Sequence, residues 1–163
     1  MSIEKIEMTN FRNHKDVLVD FSPGINIIWG ENGSGKTSIL EAVYLASNGK
    51  SFKTNKLSEA IQTGENETTI SALFSDHKIT IHQNKQALKK IKINNADKKI
   101  KDLIGKNPTV LVSPEEEKIT KGPHLERRKY FNRLFSTVSQ AYLSNLVNYS
   151  AAIKNRNSLL KQK

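Results

Sequence analysis

The stretch that decides the fold is Gly30-Glu31-Asn32-Gly33-Ser34-Gly35-Lys36-Thr37. It has the P-loop pattern, in which a glycine and four variable residues precede Gly-Lys-Thr. An apolar run at residues 25–29 comes before it and is predicted to be a strand. Residues 38–46 follow with helical spacing, and Ile39, Val43 and Ala46 are predicted to share one face. The order of strand, loop and helix is the one that a P-loop requires.

The residue types of this stretch are those that hold the phosphates of a nucleotide. Glycines let consecutive N–H groups point at phosphate oxygens, and the N-terminus of the following helix adds positive potential. Lys36 can reach the β- and γ-phosphates, and Thr37 can offer its hydroxyl to Mg²⁺. We therefore predict that residues 30–37 bind ATP phosphates and that Thr37 is the Mg²⁺ ligand.

Composition excludes several other classes of protein. The chain has 163 residues and no cysteine, so a disulfide framework, a thiolate metal site and a cysteine nucleophile are excluded. No secretory signal and no apolar run of membrane-spanning length is visible in the sequence. We expect a cytoplasmic protein without a membrane partner.

The net charge of +10 is unevenly distributed along the chain. Residues 1–84 hold 8 Lys and Arg against 10 Asp and Glu, a net charge of −2, whereas residues 85–163 hold 18 against 6, a net charge of +12. A basic half beside a near-neutral half that binds a nucleotide indicates a polyanionic partner, most often nucleic acid. The basic residues expected to contact DNA are Arg127, Arg128, Arg133, Lys154, Lys161 and Lys163.

Strand patterns precede the P-loop. Residues 3–8 and 16–21 are predicted to pair through a turn at residues 11–14. Residues 16–20 also end in an acid, as a Walker B strand does, but they lie before the P-loop and are interpreted as an ordinary strand. A β-rich segment ahead of the P-loop is typical of ABC-type ATPases rather than of simple P-loop kinases or GTPases.

Further hairpins and a helical region follow the P-loop helix. Residues 68–74 and 78–83 are predicted to pair, as are 89–93 and 98–100, and residues 108–112 are predicted to be a short buried strand. From Leu125 the pattern is helical to the end, either packed on its own domain or projecting as an arm. A heptad seam is predicted at Tyr142, Leu146, Tyr149, Ile153, Arg156 and Leu160.

The sequence contains no strand ending in Asp-Glu after the P-loop and no Leu-Ser-x-Gly-Gln-like signature. Without an acid on Mg²⁺ and a group that orients water, we expect the chain to bind ATP with little turnover. We also expect it to be the N-terminal part of a longer protein.

Three stretches resemble the RecF family of bacterial DNA replication and repair proteins, which are SMC-like ABC ATPases. The first comprises residues 10–14, the P-loop and residues 40–44, and is shared with SMC-like ATPases. The second, at residues 113–132, and the third, at residues 142–161, are more specific to RecF. The residues that carry these two resemblances are Ser113-Pro114-Glu115, Lys121-Gly122, Arg127-Arg128, Tyr130-Phe131-Asn132, Tyr142-Leu143, Leu146, Tyr149, Lys154, Arg156-Asn157 and Leu159-Leu160-Lys161.

The resemblance implies a fold and a set of partners. The fold would be α/β, a P-loop NTPase of the ABC/SMC-head type with a β-rich N-terminal subdomain and a helical arm region. Residues 1–122 would form the ATP-binding lobe, and residues 123–163 would begin a helical second lobe. The family implies an ATP-dependent homodimer with ATP between subunits, DNA at single-strand gaps or junctions, and recombination mediator proteins as partners. The turn that contains Arg12 and Asn13 would lie beside the nucleotide.

Two other functions remain open from the residues alone. A P-loop kinase could use Arg127 and Arg128 in a lid over a small-molecule acceptor. A DNA-binding module that holds ATP only structurally is the second alternative. The leading interpretation is the ATP-binding part of a RecF-like protein that supports recombinase loading.

Overall fold

The structure is a computed structural model that describes residues 2–86, 89–112 and 122–161. The chain forms two compact units, Met1–Leu103 and Ile104–Lys163, each described here by itself. The expected lobe boundary after residue 122 stays a prediction.

The first unit is built on a six-stranded antiparallel sheet with strand order β2-β1-β3-β4-β5-β6. The predicted hairpins are confirmed, with strand ends shifted by at most three residues. The turn of the last hairpin, Asn94-Asn95, has φ values of 47° and 66°, which asparagine tolerates better than most residues. The strands are β1 (Ile3–Phe11), β2 (His14–Asp20), β3 (Glu67–Phe74), β4 (His77–Asn84), β5 (Lys89–Ile93) and β6 (Ala96–Lys98).

One face of this sheet carries the hydrophobic core. Alternation places Ile6 and Met8 of β1 on the buried face and leaves Glu7 exposed between them. The strand register then lines up two rows of apolar side chains across the sheet, which is the arrangement that stabilises paired strands. The rows are Val19, Ile6, Ala72, Ile79 and Ile93, and Val17, Met8, Ile70, Ile81 and Ile91.

Helix α1 (Lys36–Asn48) begins within the P-loop motif and packs on the sheet. The face predicted to hold Ile39, Val43 and Ala46 is not the most deeply buried face of α1. Ala42, Leu45 and Ala46 are the fully buried apolar residues, while Ile39 and Val43 lie half-buried at the margin of the core. Apolar residues surround much of this helix, so periodicity alone could not choose the face, and the small alanines allow the closest approach to the sheet.

The C-terminus of α1 is closed by Gly49. Gly49 has φ 68° and donates its N–H to the carbonyl of Leu45. The Lys89 ammonium of β5 donates to the Gly49 carbonyl. Burial, and secondarily the nearby Lys50, lower the pKa of Lys89 from 10.5 to about 8.

The second unit contains two helices, α2 (His124–Val138) and α3 (Gln140–Leu160). The prediction of uninterrupted helix was wrong at Ser139, which has extended backbone angles and caps α3 by accepting a hydrogen bond from the N–H of Tyr142. The Tyr142 hydroxyl donates to Asn132 across the helix pair at 2.7 Å. The two helices are therefore tied together where they meet.

The predicted heptad seam on α3 is not a buried seam in the described residues. Leu143, outside that seam, is the buried side chain of α3, and Tyr142 and Leu146 are half-buried. The other seam residues are exposed because α3 has no packing partner along its distal turns within the part of the chain that the structure describes.

The predicted strands at residues 25–29 and 108–112 were wrong for this structure. Ile25, Ile27 and Trp29 are 91%, 81% and 87% exposed, and Val110 and Val112 are similarly exposed. A strand is stabilised by hydrogen bonds to a neighbour, and neither segment pairs with another segment among the described residues. An apolar pattern without a pairing strand therefore did not produce regular structure.

Candidate nucleotide-binding site

The P-loop folds into a turn that its glycines make possible. Gly30, Gly33 and Gly35 have φ values of 146°, 86° and 94°, which residues with a Cβ atom rarely adopt. The Lys36 ammonium folds back across this turn and donates to the carbonyls of Gly30 at 2.8 Å and Glu31 at 2.7 Å. The loop thus places a cation beside its own backbone at the start of α1.

An open cleft of about 350 Å³ lies against this loop. Five of the residues predicted to bind phosphate line the cleft, whereas Gly30, Glu31 and Ser34 do not. Glu31 instead accepts a hydrogen bond from the N–H of Ser34, which shapes the turn. The residues that line the cleft are Asn13, Asn32, Gly33, Gly35, Lys36, Thr37, Ser38 and Lys53.

The turn between β1 and β2 forms part of the cleft wall. The Asn13 amide donates to the Gly33 carbonyl at 3.0 Å and accepts from the Ser38 hydroxyl at 3.3 Å. The His14 ring nitrogen lies 3.2 Å from the Gly35 carbonyl oxygen. Asn13 therefore lines the cleft, and its contact with a nucleotide stays a prediction.

Arg12 points away from the cleft lining and toward α1. Its guanidinium donates to the two carboxylate oxygens of Glu41, at 2.9 and 2.6 Å, and to the carbonyl of Glu59 at 3.1 Å. The Glu41 carboxylate is fully buried, and such a charge requires a charged partner. The role of Arg12 beside a nucleotide stays a prediction, but its contacts in this structure join the β1–β2 turn to α1.

Lys53 is a cleft residue that sequence reasoning missed. It lies in the irregular segment after α1, where no motif marks it. The Ser51 hydroxyl accepts a hydrogen bond from the N–H of Lys53 and donates one to Glu41. Ser51 and Glu41 are 10 residues apart, so no local sequence pattern predicts this contact. The only sequence signal for Lys53 was a basic residue shortly after the P-loop helix, and Lys50 and Lys56 carry the same signal.

The predicted DNA-contacting residues lie on both helices of the second unit. Arg127, Arg128 and Arg133 are exposed on different sides of α2, since their spacing rotates them around the helix. Lys154 lies in α3 and Lys161 is the residue that caps its C-terminus, and their spacing of seven residues places them on one side of the helix. With Ser150, Ile153, Asn157 and Ser158 they line an open groove of about 480 Å³. Lys163 lies outside the described residues.

Comparison with known proteins agrees with this fold and site. A protein-family model described as "AAA domain" matches residues 5–163. "DNA replication and repair protein RecF" from Lachnoclostridium phytofermentans is 36% identical over 99% of this chain and 46% of that protein. A solved structure of "the recombination mediator protein RecF-ATP in RecFOR pathway" superposes with a TM-score of 0.91 at 35% identity, covering 98% of this chain and 44% of that one.

This chain belongs to the RecF family of AAA-domain proteins. The family resemblance inferred from the three sequence stretches is thereby confirmed, as is the fold class of an SMC-head-like P-loop ATPase. A structure from a study of SMC ATPases, with a TM-score of 0.64 at 21% identity over 81% of this chain and 98% of its own, shows the same fold. The RecF-family chain spans about half the length of the curated relatives that it matches.

No helix of this RecF-family chain, within the described residues, is both long and apolar enough to cross a membrane.

Proposed function

We propose that this chain binds ATP with Mg²⁺ in the P-loop cleft, as the ATP-binding part of a RecF-like DNA repair protein. The observation that carries the proposal is the P-loop turn at the N-terminus of α1, with Lys36 folded across it and Asn13 and Lys53 completing the cleft. The solved RecF structure described with ATP supports the choice of nucleotide. The similarity to that structure covers nearly all of this chain.

The residues of the cleft fit the phosphates. Gly33 and Gly35 leave backbone N–H groups without side chains in front of them, and Lys36 needs only to exchange carbonyl oxygens for phosphate oxygens. Thr37 is exposed at the cleft and supplies one hydroxyl oxygen. Mg²⁺ binds with few protein ligands because water and phosphate oxygens fill most of its positions, and the Thr37 hydroxyl would be one of those few ligands.

We also propose DNA binding, ATP-dependent homodimerisation and support of recombinase loading at single-strand gaps. The net charge of +12 in residues 85–163 supports a nucleic-acid partner. The naming of relatives as replication, repair and recombination mediator proteins supports the biological role. Cytoplasmic location and low ATP turnover by this chain remain predictions of the same kind.

The first test replaces Lys36 with alanine. Removing its ammonium is expected to weaken ATP binding by an order of magnitude or more, because a charge-assisted contact to phosphate is lost. Isothermal calorimetry with ATP and Mg²⁺ measures the affinity. Unchanged affinity in Lys36→Ala would refute the assignment of the cleft.

Thr37→Ala is the companion variant. It keeps the loop and the ammonium but removes the hydroxyl, so the benefit of Mg²⁺ to ATP affinity is expected to shrink while Mg²⁺-free affinity stays close to that of the wild type. Calorimetry in Mg²⁺ and in EDTA separates the two. Equal loss in both conditions would argue against a metal contact at Thr37.

A further inference from the structure

The turn between β1 and β2 contacts both the phosphate loop and the helix that follows it. The Asn13 amide donates to the Gly33 carbonyl at 3.0 Å, and the Ser38 hydroxyl of α1 donates to the side-chain oxygen of Asn13 at 3.3 Å. The His14 ring nitrogen lies 3.2 Å from the carbonyl oxygen of Gly35. The turn therefore holds the loop at two carbonyl groups, and the peptides of these glycines determine where the neighbouring N–H groups point.

The backbone that leads into this turn has an unfavourable conformation. Asn10 and Arg12 have φ values of 53° and 56°. This left-handed region is uncommon for residues with a side chain, and asparagine enters it more readily than arginine does. Backbone strain of this kind persists where the surrounding contacts hold it, and it is concentrated at functional sites. The contacts of Arg12 are therefore what keeps the turn in this conformation.

All three nitrogen atoms of the Arg12 guanidinium donate to the protein itself. Nε and Nη2 donate to the two carboxylate oxygens of Glu41, at 2.9 and 2.6 Å, and Nη1 donates to the Glu59 carbonyl at 3.1 Å. A guanidinium that is bonded to both oxygens of a carboxylate is fixed in orientation as well as in distance. The pair therefore fixes the β1–β2 turn to α1, the helix that begins at Lys36 of the loop.

The loop, the helix and the turn are thus connected in a closed set of contacts. The loop continues into α1, α1 holds Arg12 through Glu41, and the turn that follows Arg12 holds the loop. The Glu41 carboxylate is fully buried, and separating such a charge from its partner is strongly destabilising. Because Arg12 directly precedes Asn13, a shift of the ion pair would move the atoms that bond the loop.

We propose that the ion pair of Glu41 and Arg12 positions the phosphate loop for ATP, acting through Asn13 and His14 of the β1–β2 turn. The inference rests on the proposed ATP binding. The pair holds the loop in one conformation before the nucleotide arrives, so that binding does not have to order it. Glu41 and Arg12 are positioning residues in this role, because they act through the turn.

The test exchanges both members of the pair for methionine in the full chain. Arg12→Met with Glu41→Met leaves no buried charge without a partner, and such a replacement of a buried ion pair is often neutral for stability. We expect the variant to fold, as judged by circular dichroism and urea denaturation. Its ATP affinity is expected to fall on the order of tenfold in calorimetry, because the loop must be ordered on binding. A folded variant with the ATP affinity of the wild type would overturn the proposal.

Glu41→Gln is a second variant that disturbs the site less. It keeps the shape of the side chain and one oxygen that can accept from Arg12, but it removes the charge and the second accepting oxygen. ATP affinity is expected to fall severalfold. Unchanged affinity in Glu41→Gln, with a loss only where Arg12 is replaced, would mean that Arg12 acts without its partner and would refute the role of the pair.

Lys5→Met with Asp20→Met is the matched control. Lys5 and Asp20 form an ion pair at 3.1 Å at the other end of the same hairpin, away from the turn. This exchange also removes one positive and one negative charge, so the net charge of the chain stays the same. ATP affinity is expected to equal that of the wild type. A loss as large as that of the first exchange would show that any disruption of the hairpin weakens binding, against the proposal.

The role of the turn is tested in a chain that already carries Asn13→Ala and His14→Ala. There the two side chains no longer bond the loop, so the exchange of Arg12 and Glu41 for methionine is expected to add little further loss of ATP affinity. A loss as large as in the wild-type background would mean that the pair acts on the nucleotide without the turn. That result would overturn the positioning role.

Comparison with Lys36→Ala separates this inference from the proposed function. If Lys36→Ala loses ATP binding while the folded double methionine variant keeps it, the inference fails and the P-loop assignment stands. If Lys36→Ala also binds ATP as the wild type does, the proposed function itself fails.

Discussion

Gly35 is the glycine of the phosphate loop that has the least space around it. A Cβ atom there would lie 2.3 Å from the His14 ring nitrogen and 2.9 Å from the Asn13 amide nitrogen. Both obstacles are ends of side chains, which can rotate away. A side chain at Gly35 would therefore disturb the contacts of Asn13 and His14 to the loop more than it would disturb the packing of the domain.

Gly64 is the control for this effect on the loop contacts, because it has the same φ of 94° but no atom within 4 Å of an added Cβ. Gly35→Ala and Gly64→Ala are each expected to lower the free energy of unfolding by about 1 kcal/mol, because alanine is strained at positive φ. ATP affinity is expected to fall roughly tenfold or more in Gly35→Ala alone. Urea denaturation and calorimetry provide the two measurements, and equal ATP affinity in both variants would contradict the argument.

Site residues that belong to a contiguous sequence motif were predictable, whereas those that act through contacts distant in sequence were not. The motif marked residues 30–37, five of which line the cleft, and the family resemblance marked Asn13, which lines it too. The pairing of Arg12 with Glu41 spans 29 residues and leaves no spacing pattern in the sequence. The network through Ser51 to Lys53 was missed for the same reason, because only the fold brings those side chains together.

At the scale of elements, paired strands were predictable and unpaired ones were not. Alternation at β1, β3 and β4 specified both the strand and its buried face, and each found a neighbour in the sheet. Residues 25–29 carry an equally apolar pattern. A strand also needs a neighbouring strand to pair with, and the pattern of one segment does not show whether such a neighbour exists. The break at Ser139 was missed because serine is tolerated inside helices as well as at their N-termini.

The contact between β5 and the end of α1 provides a test that depends on pH. The pKa of Lys89 is about 8 in the folded chain and 10.5 ordinarily, so between these values the unfolded chain binds more protons than the folded chain. The free energy of unfolding should therefore rise with pH over this interval. Burial of the charged ammonium is the leading cause of the lowered pKa, and the free-energy cost of burying that charge disappears when Lys89 loses its proton.

Lys89→Met isolates this effect. From about pH 7 to about pH 10 the wild type is expected to gain stability relative to the variant, as measured by urea denaturation. Lys90→Met is the control, since Lys90 is an exposed neighbour on β5 and should change stability equally at each pH. Loss of wild-type stability relative to Lys89→Met with rising pH would mean that the hydrogen bond to Gly49 outweighs burial.

At the scale of the whole molecule, charge separates the two halves of the chain. Non-specific binding to DNA is dominated by phosphate contacts and falls steeply with salt. Lys154 and Lys161 are the best-placed pair for such contacts, since they lie on one side of α3 and its C-cap and line one open groove. The exposed Lys90 and Lys92 of β5 are the alternative, because they lie in the unit that contains the P-loop.

Charge reversal distinguishes the two surfaces. Lys154→Glu with Lys161→Glu is expected to weaken binding to all single-stranded sequences alike and to reduce the salt slope by up to about 1.4, the contribution of two phosphate contacts. Lys90→Glu with Lys92→Glu is the matched pair in the other unit. Filter binding across salt concentrations measures both the DNA affinity and its salt slope. If only the β5 pair abolishes binding, the DNA-binding surface lies on the unit that contains the P-loop.

Trp29 is the single tryptophan of the chain, is almost fully exposed, and directly precedes the first glycine of the phosphate loop. Indole emission shifts to shorter wavelength when water is removed from the ring. The protein therefore carries an intrinsic optical reporter next to its phosphate loop, and the sequence contains no second indole to obscure the signal. Occupation of the loop, or burial of the neighbouring apolar segment by another polypeptide, would be visible in the emission spectrum of the unlabelled chain.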